Sequence, residues 1–281
     1  MSAARLPVAP PFDLARTLQS GQCFRWTVTG RRARGIVAGT VAVVTQTAGR
    51  LAIEWEGPRG APAMLRRHLG ADQPLTEIEA QLASDPVLRR LLPQTSGIAL
   101  MRQDPWECLV SYVVSAFNNI PKISLSIQRL AQSCGEPIRG AADDFSFPSP
   151  ARLAAASRSR LRSCALGYRA SYVRDLARLV ADGDVDLDAI ARLPHAELRK
   201  ALLALPGVGE KVADCVLLFA YGRGEAFPVD VWVQRAVEGW YFNGRAKTPR
   251  AIRDWARDRF GPLAGYAQQH LFAGARRVPP H

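Results

Sequence analysis

The segment HAELRKALLALPGVGEKVADCVLLFAYG, residues 195–222, leaves the chain little conformational choice. One amphipathic helix with Leu198, Leu202 and Leu205 on a face stops at Pro206, and a second begins after Gly209. Only Pro206-Gly207-Val208-Gly209 lies between them, so the two helices fold back on each other as a hairpin. Two glycines admit backbone angles that other residues avoid. The second helix also offers unpaired N–H groups and the positive end of its dipole. The backbone of Gly207, Val208 and Gly209 could therefore hold a phosphate oxygen without reading sequence. From these residues alone, that use and simple packing of two helices carry equal weight.

Lys211 falls in the first turn of the second helix, where a cation is electrostatically disfavoured and its ammonium should lose a proton more readily. A neutral lysine amine is what Schiff-base chemistry at a sugar carbon needs. A surface lysine steering toward phosphate is the commoner reading, and the position alone does not overturn it. Further on, FPVDVWVQRAV at 227–237 puts Asp230 at the N-cap of an amphipathic helix, with Pro228 fixing the approach. Capping accounts for Asp230 by itself. It would also keep the carboxylate ionised, the state that stabilises a developing oxocarbenium ion.

Charge indicates the partner. Thirty-seven Lys and Arg against 25 Asp and Glu give +12, which favours a polyanion, most simply nucleic acid, although an acidic membrane surface also attracts such a chain. A 48% hydrophobic content over 281 residues suffices for one large core or two modest ones. MSAARLPVAPPFDLART holds no apolar stretch of signal-peptide length, and the run Val212 to Tyr221 is short and contains Asp214, so a soluble, unexported protein with no membrane association is expected. Five cysteines without CxxC spacing and four histidines (His68, His195, His270, His281) without ligand spacing predict neither disulfides nor a metal site.

Residues 34–55 are β-branched and broken by glycine, which reads as antiparallel strands. After GPRGAP at 57–62 the pattern turns helical, and from about Gly97 nearly every segment has helical spacing. The expected fold class is α+β, with an N-terminal antiparallel sheet subdomain with flanking helices (residues 1–96) packed on an all-α body (residues 97–281). The hairpin spans about 195–220 and the Asp230 loop 225–231.

LPGVGEK and PVDV, with Asp230 nineteen positions after Lys211, together resemble the helix-hairpin-helix DNA glycosylase superfamily. Within it, SGQCFRW (20–26), RQDPWECLVSY (102–112), LGYRASYV (166–173), KVADC (211–215) and AQQHLF (267–272) are similar to the 8-oxoguanine DNA glycosylase/lyases, over nearly the whole chain. The resemblance implies a sheet subdomain like that of the TATA-binding protein on a helix-hairpin-helix glycosylase body. It implies a bifunctional enzyme of base-excision repair acting on double-stranded DNA containing 8-oxoguanine, working as a monomer without metal or organic cofactor. Its compartment would be the bacterial cytoplasm at the nucleoid, or the nucleus of a eukaryote.

The resemblance also distributes roles. Lys211 is the nucleophile and Asp230 its carboxylate; Cys215 and Phe272 sandwich the extruded base and Gln268 reads its edge. Phe219 and Pro228 complete that pocket, and the Gly21 carbonyl meets the N7 hydrogen that 8-oxoguanine has and guanine lacks. Asn118, Lys122, Tyr168 and Arg169 are assigned to the vacated stack and the opposite base. The chain departs from the pattern at Phe117 and Lys122, where the family commonly has asparagine and arginine, and at Trp232 and Ala275, which replace a histidine and its acidic partner. Related enzymes for adenine or thymine glycol carry four clustered cysteines near the C-terminus, whereas no cysteine follows Cys215 here. Alkylbase glycosylases generally lack the lysine. A non-catalytic DNA-binding protein using the hairpin and the positive charge is the rival of a different class.

Overall fold

A computed structural model describes residues 2–277; His281 lies outside the described residues. The chain opens with β1 (Ser2–Pro7) and α1 (Leu14–Gln19), followed by β2 (Trp26–Thr29), β3 (Arg32–Val37), β4 (Thr40–Thr47) and β5 (Arg50–Glu56). These strands form one antiparallel sheet in the order β1-β5-β4-β3-β2. Leu51, Ile53 and Trp55 alternate toward one face, as a half-buried strand requires. The sheet is wider than residues 34–55 suggested, because β1 and β2 add an edge on either side. Neither shows a long β-branched run; β1 is held by pairing to β5 and β2 by pairing to β3. Opposite Trp26 stands Gly35, where a Cβ would come within 2.3 Å of the indole, so glycine there lets the ring lie flat on the sheet.

Three helices, α2 (Ala61–His68), α3 (Leu75–Leu82) and α4 (Pro86–Thr95), lead into α5 (Pro105–Ser115) and α6 (Ile120–Cys134). A short hairpin, β6 (Pro137–Ile138) and β7 (Ala141–Phe145), interrupts the helical part, contrary to the helical pattern expected from Gly97 onward. Then come α7 (Pro150–Ala155), α8 (Arg158–Leu161), α9 (Arg169–Ala181), α10 (Leu187–Ile190), α11 (His195–Leu203), α12 (Glu210–Phe219), α13 (Val231–Tyr241), α14 (Pro249–Phe260) and α15 (Ala264–Ala275). Among the described residues no helix is long and apolar enough to cross a membrane.

The buried side chains fall into two clusters, and the chain passes between them more than once. One gathers α5, α6, α9, α11 and α12 with Phe24. The other joins the sheet and α2–α4 to α13–α15, through Phe227, Val233, Val237, Ile252, Ala256 and Leu271. The C-terminal helices thus complete the core of the N-terminal sheet. A buried ion group bridges the two clusters. Asp214 on α12 accepts from Arg199 Nε on α11 at 2.9 Å and faces Arg253 Nε on α14 at 3.6 Å. Burial raises the Asp214 carboxyl above its ordinary value, against the pull of the two guanidinium groups.

Candidate active site

The hairpin forms as its sequence dictates. Gly207 adopts φ +74°, and a Cβ there would meet Tyr172 Cβ at 2.8 Å, so both the turn and the close approach of α9 require glycine. Gly209 begins α12 with no side-chain cap, which leaves the N–H groups of that first turn without a side-chain acceptor. Val208 is buried and anchors the turn from beneath.

Lys211 points from the first turn of α12 toward α5. Its Nζ donates to Ser115 Oγ at 3.0 Å and lies 4.9 Å from the centre of the Tyr112 ring. Tyr112 stacks on Phe219 and donates its hydroxyl to the Gln22 carbonyl at 3.0 Å, with the Gly21 carbonyl at 3.4 Å. Ser115 and Tyr112 were missed in the sequence. Tyr112 lies inside RQDPWECLVSY, but nothing local links either residue to a lysine about a hundred positions away.

One turn after Lys211, Cys215 is buried and its thiol is pushed up to about 12 by desolvation, which Lys211 only partly offsets. A thiol so held stays protonated near neutrality and serves as a soft wall, leaving the amine as the nucleophile. Asp230 also bears on that thiol and on the Tyr112 hydroxyl, so Lys211, Cys215, Tyr112 and Asp230 share one electrostatic neighbourhood. Asp230 caps α13, accepting from Val233 N at 2.8 Å.

The remaining wall comes from α15 and from the loop after α1. Gln268 is buried, donates Nε2 to the Pro228 carbonyl at 3.2 Å and accepts from Gln269 Nε2 at 2.7 Å. The Pro228 carbonyl can only accept, so it fixes which end of the Gln268 amide is oxygen. Gln269 Oε1 is left buried without a hydrogen-bond partner among the described residues. Gly21, at φ +82°, lies against Phe272, since a Cβ there would be 3.2 Å from the ring. Its loop is stapled by the buried Gln22 amide, which donates to the Ala99 carbonyl and accepts from Met101 N. Arg276 covers one side of Phe272 at 5.5 Å. A cleft of about 640 Å³ opens beside Gly21, lined also by Arg16, Arg276 and Arg277.

Two residues stand differently from the roles the resemblance gave them. Phe219 is buried and stacks on the Tyr112 ring at 5.7 Å. Arg169 is 9% exposed, and its guanidinium is engaged with the carbonyls of Ala116, Phe117 and Leu166, so it holds a turn and presents no free fork to a base. Asn118 bonds the Val114 carbonyl and Asn119 N, Lys122 is exposed on α6, and Tyr168 is 56% exposed at the start of α9. Trp232 stands exposed beside Asp230, and Ala275 is buried.

Comparison with known proteins bears on the fold and the family. The family model described as "8-oxoguanine DNA glycosylase, N-terminal domain" matches residues 5–109, and "HhH-GPD superfamily base excision DNA repair protein" matches residues 110–262. The N-glycosylase/DNA lyase OGG1 of Arabidopsis thaliana is 30% identical over 279 residues, 92% of this chain and 76% of that protein. Among solved structures, MBOgg1 in complex with a low-affinity DNA ligand superposes with a TM-score of 0.94 at 35% identity, over 99% of this chain and 96% of that one. The Clostridium acetobutylicum 8-oxoguanine glycosylase/lyase, bound to double-stranded DNA with cytosine opposite 8-oxoguanine, gives 0.91 at 29% identity over 99% and 98%. With its sheet-bearing N-terminal part, its hairpin and the lysine that follows, this chain belongs to the HhH-GPD superfamily of base-excision DNA repair proteins, in the branch that carries the 8-oxoguanine DNA glycosylase N-terminal domain.

Proposed function

We propose that the protein excises 8-oxoguanine from double-stranded DNA and then cleaves the strand at the abasic site, acting as a monomer on DNA in the cytoplasm of a bacterial cell. The observation that carries this reading is Lys211, whose amine is fixed between Ser115 Oγ and the Tyr112 ring, one helical turn from Cys215. The backbone of residues 207–209 grips a phosphate beside the lesion while the damaged nucleotide swings out of the stack. The base then lies between Cys215 and Phe272. Gln268 meets its edge, with one lone pair of Oε1 already taken by Gln269 and the other available to a base N–H. The Gly21 carbonyl accepts from N7–H; beside normal guanine it faces an acceptor, which costs the complex a hydrogen bond.

Lys211, once it has given up a proton, attacks C1′. The N–C1′ bond forms as the glycosidic bond breaks, and the base leaves with that electron pair and takes up a proton. Asp230 stabilises the positive charge that builds on the sugar. Opening of the C1′–O4′ bond gives the imine; loss of a C2′ proton then breaks the C3′–O3′ bond and nicks the strand.

Borohydride reduction during incubation with a duplex containing 8-oxoguanine tests this. A covalent protein–DNA adduct is expected, and it should vanish in Lys211→Gln, with excision down at least about 10³-fold. An adduct that persists in Lys211→Gln refutes the nucleophile.

A further inference from the structure

Tyr112, on α5, is a buried side chain that touches both ends of the site. Its ring centre lies 4.9 Å from Lys211 Nζ. Its own carbonyl accepts from Ser115 Oγ at 2.7 Å, and that serine oxygen in turn accepts from Lys211 at 3.0 Å. The lysine is therefore seated on Tyr112 twice, once on the ring and once through the serine. At the other end of the ring the hydroxyl donates to the Gln22 carbonyl at 3.0 Å, with the Gly21 carbonyl at 3.4 Å.

Packing does not account for the hydroxyl. The ring stacks on Phe219 at 5.7 Å and meets Phe24 edge-on at 5.7 Å, contacts that a phenylalanine would make as well. Nor does the Gln22 carbonyl need the phenol for want of a donor, because Gln103 Nε2 already donates to it at 2.7 Å. What the phenol adds is a second tie on the loop that carries Gly21. Phe272 and Ile120 crowd the same glycine, at 3.2 and 3.3 Å from where a Cβ would stand. Burial, reinforced by Cys215, pushes the Tyr112 hydroxyl well above its ordinary value, so it stays a donor near neutrality. Its single proton serves Gln22 at the shorter distance, and the Gly21 oxygen keeps its lone pairs for a ligand.

We infer that Tyr112 is a positioning residue that ties the Gly21 carbonyl to the Lys211 amine, so that the carbonyl cannot retreat from a base that offers it no hydrogen. This rests on the proposed reading of 8-oxoguanine by Gly21. Guanine turns an N7 lone pair toward that oxygen, and a loop free to withdraw would relieve the repulsion and admit the base. Held by the phenol, the loop stays, and the mismatch is felt where the amine is aimed. The ring face meanwhile attracts the waiting ammonium and keeps it over one spot.

Two variants separate the ends of this tie. Tyr112→Phe keeps the ring and removes the hydroxyl; in single-turnover excision its preference for 8-oxoguanine over guanine should fall about five- to tenfold. Tyr112→Leu removes the ring as well. On a duplex with a preformed abasic site, where no base is read, borohydride trapping should be about fivefold slower in Tyr112→Leu than in Tyr112→Phe. A hydroxyl that serves stability alone would lower the melting temperature of Tyr112→Phe and leave its preference at the wild-type value, which overturns the inference. Equal trapping by the two variants overturns it too, and the isosteric Tyr112→Phe decides by itself where Tyr112→Leu does not fold. Ring-dependent trapping in a protein that excises no 8-oxoguanine would instead reject the substrate and leave Tyr112 as the seat of the amine.

Discussion

Two aspartates open helices in this molecule by the same device and differ in what else their oxygens meet. Asp85 caps α4, accepting from Val87 N and Leu88 N; Asp230 caps α13, accepting from Val233 N. Beyond the caps they part. Asp85 is buried, and its oxygens also take the Tyr241 hydroxyl at 2.8 Å and Arg259 Nε at 2.7 Å. Burial pushes its carboxyl up, but the bonds from Leu88, Arg259 and Tyr241 outweigh that and hold it below the usual carboxylate range. Asp230 is partly exposed and takes a single hydrogen bond among the described residues, so its second oxygen is free to face a developing cation. The contrast teaches that capping does not decide whether an aspartate serves structure or chemistry. On the proposed mechanism, the oxygen left over does.

That contrast can be broken in several ways. Asp230→Asn keeps the cap and removes the charge, so single-turnover excision should fall about 10²- to 10³-fold with the melting temperature nearly unchanged. Turnover at the wild-type rate would erase the distinction between the two caps. Asp85→Asn should do the reverse. Excision by the folded protein should stay intact, while loss of the charged bonds to Arg259 costs about 2 kcal/mol, read by urea unfolding. A stability equal to wild type would mean that those bonds contribute nothing. Gln268→Ala extends the comparison to an amide with one lone pair unspent, and the preference for 8-oxoguanine over guanine should fall about tenfold. An unaltered ratio would reject Gln268 as the edge reader.

The smallest effect concerns acid. Because the folded Asp85 carboxyl titrates below its unfolded value of about 3.9, its stabilisation is present above that pH and is lost as pH falls through the folded value. The acid limb of the melting curve should therefore be shallower in Asp85→Asn than in wild type. Parallel acid limbs would show that Asp85 does not drive the loss.

How far the sequence carries depends on the range over which each signal acts. The hairpin, the shared face of Lys211 and Cys215 and the cap at Asp230 are written within a few residues, and helical period and turn chemistry suffice to read them. The Ser115 hydroxyl reaches Lys211 from 96 positions away, and the engagement of Arg169 with the Phe117 turn spans 52. Such pairings leave no mark in local periodicity. The same holds for β1, whose partner β5 is what makes it a strand, and for α13–α15, whose apolar faces do not reveal that they cover the N-terminal sheet. Asp85 and Asp230 show this limit most plainly. PVDVWVQRAV reads as a capped helix start, SDPVLRRLL opens α4 on the same cap in the structure, and only the neighbours brought by the fold tell the two apart.

The buried Arg199–Asp214–Arg253 group has a mechanical consequence. Lys211 and Cys215 ride on one apolar cluster; Asp230, Gln268 and Phe272 ride beside the other. The ion group is a strut across the seam, anchored on α11 and α12 at one end and on α14 at the other. Its stiffness sets the play between two jaws, one bearing the Lys211 amine and the other the Asp230 carboxylate and the Gln268 amide. The selectivity of such a site is then a machining tolerance as well as a matter of hydrogen bonds: a slack strut would let the jaws settle around a poorly fitting base, and a rigid one refuses it.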